Sequence, residues 1–308
     1  MLPYFPFGQR FNDKMGTISM TDADRLIEVD ADYQSDVARK RALLDEYPRY
    51  YFQALPHSET AQWDAVTLIL NKLIRSYPEW FSLKQTGTNW LWQNRLLNEE
   101  TSFRPGIIDS LPLAPLDWVG RQVQEDLVVL SGNDITLIAG QLCFGNGWCL
   151  DEKIGLPFWQ IHAPIVPIVE PMMVASQKLM QRLPAERPVW RLNWSIKHTD
   201  QLDMTCRHTE SLNQLLADQL PTMTVETISK QLYLRIERQT LTRLPNSGAI
   251  LFGIHTYQNR LDRELAERPE AARQLLNVLR TTPPAMIAYK GIAHYLPVLI
   301  NYLNSTTI

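Results

Sequence analysis

The sequence contains few cysteines and few glycines, and each shortage argues against a class of site. Three cysteines and 13 glycines occur among the 308 residues. No two cysteines form a Cys-x-x-Cys unit, so we do not expect an iron–sulfur cluster or zinc site held by the chain's own thiolates. No phosphate loop, dinucleotide glycine fingerprint or Gly-x-Ser-x-Gly elbow occurs, which argues against kinase-like, Rossmann and hydrolase functions. The three thiols cannot pair completely, which favours a reducing, cytoplasmic location.

Long apolar runs and an excess of basic charge are also missing. No stretch approaches the roughly 20 apolar residues of a membrane-spanning helix. The first residues do not combine a basic stretch with an apolar core, as a secretory signal does. The net charge of −3 provides no general attraction to nucleic acid or anionic membrane. We therefore expect a globular protein that binds neither.

Apolar runs and period-two alternation predict five strands, in a group of two and a group of three. A helical stretch interrupted by prolines separates the two groups. This order is that of a PAS domain, an antiparallel five-stranded sheet whose helices cover a ligand pocket. The predicted fold class is therefore α+β. The predicted strands span residues 127–130, 135–144, 189–196, 231–239 and 249–257.

The pattern of elements divides the chain into three segments that we expect to form one compact unit. Residues 1–120 are predicted to be an N-terminal helical wrap, in which prolines make residues 82–120 irregular. Residues 121–260 are the PAS-like core. Residues 261–308 are predicted to be C-terminal helices that pack on that core.

His162 differs from the other five histidines in its surroundings. It follows Phe158-Trp159-Gln160-Ile161 and precedes a proline-rich segment. An imidazole among aromatic and aliphatic groups suits an axial haem ligand in an apolar pocket. A core histidine with satisfied hydrogen bonds is the more common case on composition alone, so both interpretations stay open.

A second candidate group lies in the fourth predicted strand. If Leu232, Leu234 and Ile236 face the pocket, Arg238 falls on the same face, at its edge. There it can donate to a haem propionate or to the oxygen that reacts, and Arg243 is a further propionate candidate. The alternative is an exposed edge strand protected by its charges.

The preceding strand carries a third polar group in an otherwise apolar run. It consists of Arg191, Asn193 and Trp194. These residues either serve the same site or form a structural hydrogen-bond network.

Together these segments resemble the family typified by the α subunit of haem-dependent oxidative N-demethylase. The resemblance covers nearly the whole chain, and the order and spacing of its short pieces are what make it specific. The pieces are Pro6-Phe7, Met15-Gly16, Asp30 to Tyr33, Gln124-Glu125-Asp126-Leu127, Cys143-Phe144, Trp148, Glu152-Lys153-Ile154-Gly155, Ile161-His162, Arg191-Leu192-Asn193-Trp194, Glu237 to Leu241, Arg243-Leu244-Pro245 and Tyr289-Lys290-Gly291.

The resemblance implies a haem-binding PAS fold with haem b held by His162. It implies oxidation of a small secondary amine, such as dimethylamine, with O2 and electrons from NADPH. NADPH, flavin (FMN), the iron–sulfur cluster and tetrahydrofolate belong to separate reductase and partner subunits, and an oligomer is possible. The candidate catalytic residues are Arg238, or alternatively Arg191, and Glu237, with Glu210 a second candidate for the amine-binding carboxylate that the resemblance implies. Implied haem-binding residues besides His162 are Arg243, Lys153 and Trp194.

The chain departs from the family's pattern directly after His162. It reads Ala163-Pro164-Ile165-Val166-Pro167, where the pattern is His-x-Pro-Val-Pro. The extra residue leaves the substrate and the haem geometry open. Two alternatives to an enzyme remain: a non-catalytic haem or gas sensor, and a haem-free PAS-like scaffold. The chain has no recognisable kinase or DNA-binding output module, which weighs against the sensor.

Overall fold

Seven antiparallel strands form the main sheet of the protein, seen in a computed structural model that describes residues 1–12, 14, 16–21, 25–163, 166–268 and 270–306, without the side chains of 166–169. Their order across the sheet is β1-β8-β9-β10-β6-β7-β2. Their bounds are β1 Ile18–Ser19, β2 Phe52–Ala54, β6 Asp126–Leu130, β7 Leu137–Gln141, β8 Val189–Lys197, β9 Tyr233–Arg243 and β10 Ile250–Arg260.

The five predicted strands are all present and adjacent to one another in this sheet. The predicted total of five is nevertheless too small. Strands β1 and β2, which come from the N-terminal segment, pair with β8 and β7 at the two edges. Both are only two or three residues long, so they leave no periodic pattern in the sequence.

The central hairpin of β9 and β10 pairs along its whole length, from Tyr233 opposite Arg260 to Arg243 opposite Ile250. Its turn contains Gly248, whose φ of +69° lies in the left-handed region that favours glycine. These two long strands form the middle of the sheet and fix which side chains face each side of it.

A second, three-stranded sheet contradicts the irregular structure predicted for residues 82–120. Its strands are β3 Phe81–Thr86, β4 Asn89–Asn94 and β5 Glu99–Phe103. Trp92 is fully buried and stacks on Phe81 with ring centroids 5.5 Å apart. Trp92 and Phe81 therefore lie within regular strands whose other side chains are largely polar.

Twelve α-helices are described. The longest is α3, Glu59–Ser76, and it shows how the sequence determines where a helix forms and ends. Its apolar residues recur at helical spacing, and Ala65, Ile69 and Leu73 are completely buried. It ends just before Tyr77-Pro78, because the residue before a proline disfavours helical geometry. The helices are α1 Tyr33–Glu46, α2 Pro48–Tyr51, α3 Glu59–Ser76, α4 Pro115–Gly120, α5 Phe158–Ile161, α6 Val166–Arg182, α7 Thr209–Gln219, α8 Ile228–Gln231, α9 Leu261–Glu267, α10 Ala271–Thr281, α11 Pro284–Tyr289 and α12 Leu296–Thr306.

The two faces of the main sheet have different coverings. Helices α5 and α6, which we call the insert, pack on one face around Leu241 and Ile250. The C-terminal helices pack on the opposite face around Leu234 and Ile236. No helix among the described residues is long and apolar enough to cross a bilayer.

Candidate functional site

The sheet presents a polar cluster on the face that the insert covers. Arg191 and Asn193 of β8 stand opposite Gln239 and Glu237 of β9. Residues directly opposite each other in an antiparallel pair share a face. The cluster therefore lies on the same side as α5, and His162 directly follows that helix.

The imidazole of His162 is held in one orientation by the turn that precedes it. Its Nδ1 lies 2.9 Å from the carbonyl oxygen of Phe158, and its ring packs on that of Phe158 with centroids 4.5 Å apart. A carbonyl oxygen can only accept, so Nδ1 carries the proton and Nε2 carries the lone pair. Nε2 has no hydrogen bond to any described residue. This is the tautomer and the outer-shell contact of a metal-ligating histidine.

Burial lowers the pKa of His162, and the hydrogen bond to Phe158 opposes this shift only in part. The positive charges of Lys153 and Arg191 lower the pKa further. The ring is therefore neutral at neutral pH, as a ligand must be. The same electrostatic effect shows that Lys153 and Arg191 both lie near His162.

Arg191 is a cation with few partners. Its Nε is buried and has no hydrogen-bond partner among the described residues, and its Nη1 lies 3.9 Å from the sulfur of Met172. A buried unpaired donor is costly, commonly about 1–3 kcal/mol. Such a group fits an anionic partner that binds at this position.

Glu237 is the buried anion of the cluster. Its carboxylate accepts hydrogen bonds from Asn193 at 3.1 Å, Gln239 at 3.0 Å and Asn146 at 3.3 Å, and lies 3.5 Å from Nε of Arg235. Burial alone would raise the pKa of Glu237, but the charge of Arg235 and the amide donors outweigh it and hold the pKa below its ordinary value. Glu237 therefore stays ionised at neutral pH.

Two lysines near Glu237 were given no role by the sequence analysis. Burial lowers the pKa of Lys290 and of Lys197 to about 8, although the charge of Glu237 opposes this in both cases. Lys290 donates to the carbonyl oxygen of Trp194. Only the Tyr289-Lys290-Gly291 piece of the resemblance pointed to this part of the cluster.

Two predicted site residues lie on the other face of the sheet. Arg238 stands opposite Leu192 and contacts Glu28, with 3.4 Å between its Nε and the carboxylate. The Trp194 ring packs on Phe7. The condition under which Arg238 would face the site is not met, because Leu232, Leu234 and Ile236 pack against the C-terminal helices. Arg235, which lies between Leu234 and Ile236, donates to the carbonyl oxygens of Leu202 and Phe144 on the opposite face.

Arg243 shares the face of the site, but its donors are mostly occupied. It donates to the carbonyl oxygens of Leu183, Met180 and Gly248, each at 2.6 Å. Arg243 therefore fastens the end of α6 to the hairpin, and a propionate would have to displace one of these carbonyls.

Three other predicted features lie away from the cluster or outside the described residues. Glu210 is exposed in the first turn of α7 and lines a surface groove with Cys206 and Arg207. Met15 lies outside the described residues. So do Pro164 and Ile165, where the chain departs from the family's pattern.

Comparison with protein families matches residues 17–300 to the haem-dependent oxidative N-demethylase, alpha subunit-like family. The match covers most of the chain, the cluster included. The chain belongs to this family. The description of the haem-dependent oxidative N-demethylase family names haem as the group on which the activity depends and oxidative N-demethylation as the reaction.

The cluster has donors of the right chemistry for the haem that this family uses. A neutral imidazole with a free Nε2 suits the iron, and the phenyl ring beside it suits an apolar macrocycle. The unpaired Nε of Arg191 suits a carboxylate. His162, Arg191 and Lys153 are therefore the residues of this chain that fit haem.

Proposed function

We propose that this chain binds haem b through Nε2 of His162 and oxidises a small secondary amine, such as dimethylamine, with O2 and electrons from elsewhere. The observation that carries the proposal is the fixed tautomer of His162, whose Nε2 has no hydrogen bond to a described residue. The charge of Arg191 lowers the pKa of His162, and Arg191 shares a face of the sheet with Glu237. The family match supports a haem-dependent function in oxidative N-demethylation, without the substrate.

The PAS-type core belongs to the same proposal. The five long strands are adjacent, and the first of them in the chain, β6, pairs with the last, β10. The insert between β7 and β8 covers one face. Strands β1 and β2 extend such a core at its edges, which supports a PAS-like unit enlarged by the N-terminal segment.

When bound, haem supplies the redox chemistry, and the side chains around it orient and polarise the reactants. Phe158 holds the His162 ring in the ligating tautomer. Arg191 and Lys153 offer positive charge to a propionate. Arg191 also stabilises negative charge that develops during the reaction, because its guanidinium Nε is already desolvated and has no hydrogen-bond partner among the described residues.

Glu237 gives the site its affinity for an amine. Its negative charge attracts an ammonium group. It also anchors the amide nitrogens of Asn193 and Gln239, which leaves their amide oxygens available to accept from an N–H group. This polar group orients the amine so that its methyl group is presented for oxidation, with formaldehyde as the product.

The electron supply belongs to other subunits in this proposal. NADPH, FMN, an iron–sulfur cluster and tetrahydrofolate each need a binding motif. The scarcity of cysteine and glycine in this chain supports separate reductase and folate-binding partners.

The test is the visible spectrum of full-length protein expressed with ample haem. We expect an intense Soret band that His162→Ala abolishes and that the matched control His294→Ala, at an exposed position, retains. Dimethylamine with an electron donor should then release formaldehyde. Ligand-dependent partner binding without formaldehyde would indicate a sensor, and a colourless wild-type protein would refute haem binding.

A further inference from the structure

Two cysteines that are far apart in the sequence meet beside the loop that leads into the insert. The backbone of Met204 donates to the carbonyl oxygen of Gly145 at 3.0 Å, and Gly147 donates back to Met204 at 2.8 Å. These bonds place the turn after β7 against the segment before α7. Cys149 lies on the first segment and Cys206 on the second.

The side chains at this junction form a cluster of metal-ligand type. The sulfur atoms of Cys149 and Cys206 and a carboxylate oxygen of Glu152 all lie within 4.8 Å of one another. The Cys206 sulfur is 3.9 Å from Glu152 Oε2. Two thiols and one carboxylate therefore converge from two separate segments.

We propose that Cys149, Cys206 and Glu152 bind a zinc ion. In a tetrahedral site with zinc–sulfur bonds of about 2.3 Å, neighbouring ligand atoms are roughly 3.8 Å apart. The ligand atoms here need to move by no more than about 1 Å to reach that spacing. Thiolates favour zinc over magnesium or calcium. The three protein ligands leave the fourth tetrahedral position to water.

The site also connects to the polar cluster. Asn146, which donates to Glu237, lies in the same turn as Cys149. A metal that fastens this turn to residue 206 fixes the position of the Asn146 amide. The zinc ion therefore holds in place the turn that contacts Glu237, the proposed amine-binding residue. Zinc binding does not depend on haem.

Metal analysis of the full-length protein, purified with zinc and without chelator, tests the proposal. We expect stoichiometric zinc, and X-ray absorption at the zinc edge should show a mixed shell of sulfur and oxygen. Cys206→Ser and Glu152→Gln should weaken zinc binding by at least about tenfold in a chelator competition, the scale on which even outer-shell partners act. Cys143→Ala and Glu210→Gln are matched controls outside the cluster and should bind zinc as tightly as the wild type.

Thiol chemistry gives an independent readout on the wild-type protein. Zinc should protect Cys206 from maleimide labelling, and a chelator should restore labelling. A metal-free protein after zinc supplementation, or zinc retained at full affinity by Cys206→Ser and Glu152→Gln, overturns the proposal. A Cys149–Cys206 disulfide in the zinc-supplemented protein overturns it too. The Soret band should persist in Glu152→Gln. Failure of the zinc proposal is therefore distinguishable from failure of the haem assignment.

Discussion

Nδ1 of His162 points at the carbonyl oxygen of Phe158, one helical turn earlier, at 2.9 Å. The backbone, and not another side chain, thus selects the tautomer. Replacing His162 with alanine leaves the space of the imidazole ring empty, and the Phe158 carbonyl stays in place to accept from an added imidazole. We therefore expect added imidazole to restore part of the Soret band in His162→Ala, measured by titration. No recovery at saturating imidazole, in a variant that remains folded by circular dichroism, would contradict direct ligation.

Arg191 and Arg238 make a matched pair, because the structure places them on opposite faces of the same sheet. Arg191→Gln removes the desolvated donor from the site, and we expect kcat/KM for the amine to fall by about 10²–10³. Arg238→Gln breaks the contact with Glu28 on the other face. It should lower the free energy of unfolding by about 1–3 kcal/mol and leave the turnover of folded enzyme nearly unchanged. Equal activity losses in the two variants would refute the assignment of faces.

Glu237 should affect amine binding more than haem binding. Glu237→Gln removes the charge that attracts an ammonium group, so we expect KM for dimethylamine to rise by about tenfold or more with the Soret band retained. The pKa of Glu237 lies below its ordinary value, because amide donors and Arg235 outweigh burial, so this charge is constant through the neutral range. The wild-type KM should accordingly show no Glu237 titration between pH 6 and 8.

The control for this variant is Glu210→Gln, which removes an exposed carboxylate away from the cluster. Its KM should equal that of the wild type. Because Glu237→Gln leaves Arg235 without its anion, its unfolding free energy must be measured alongside. An unchanged KM in folded, haem-loaded Glu237→Gln would exclude Glu237 from amine binding.

The long strands were predictable from their apolar and β-branched residues, and the short ones were not. Only β9 shows a clear period of two, where Leu234 and Ile236 alternate with polar residues, although both faces of β9 and β10 are largely buried. Strands β1 and β2 are too short to show any period, and their pairing is decided by the sheet edges they meet. The β3–β5 sheet was missed because its strands are mostly polar and the prolines that follow them suggested irregular structure.

The aromatic packing of His162 on Phe158 was predictable from its sequence neighbours, whereas the face of β9 that carries the polar cluster was not. Alternation shows that Ile236 and Glu237 point to opposite sides, but it does not show which side carries the site. The apolar residues were expected to line the pocket. In the structure they pack on helices from the end of the chain, and the polar residues face the insert. Which face of β9 packs on helices depends on tertiary contacts with segments outside the strand itself.

Buried His255 makes stability depend on pH in a way that can be measured. It lies between two carboxylates, with Nδ1 3.1 Å from Glu125 and Nε2 3.2 Å from Asp30. Burial alone would lower the pKa of His255, but Glu125 and Asp30 outweigh it and raise the pKa to about 10. The imidazolium is thus bound more tightly in the folded protein than in the unfolded chain, where the pKa is about 6.5.

The stability that His255 contributes is therefore fully present below about pH 6.5 and is lost as the pH rises through about 10. Between these values we expect the free energy of unfolding of the wild type to decline relative to that of His255→Gln, by a few kcal/mol in total. Denaturant unfolding of both proteins from pH 6 to 10.5 measures this difference and cancels the titration of lysines and tyrosines elsewhere. Parallel curves would show that His255 is neutral in the fold.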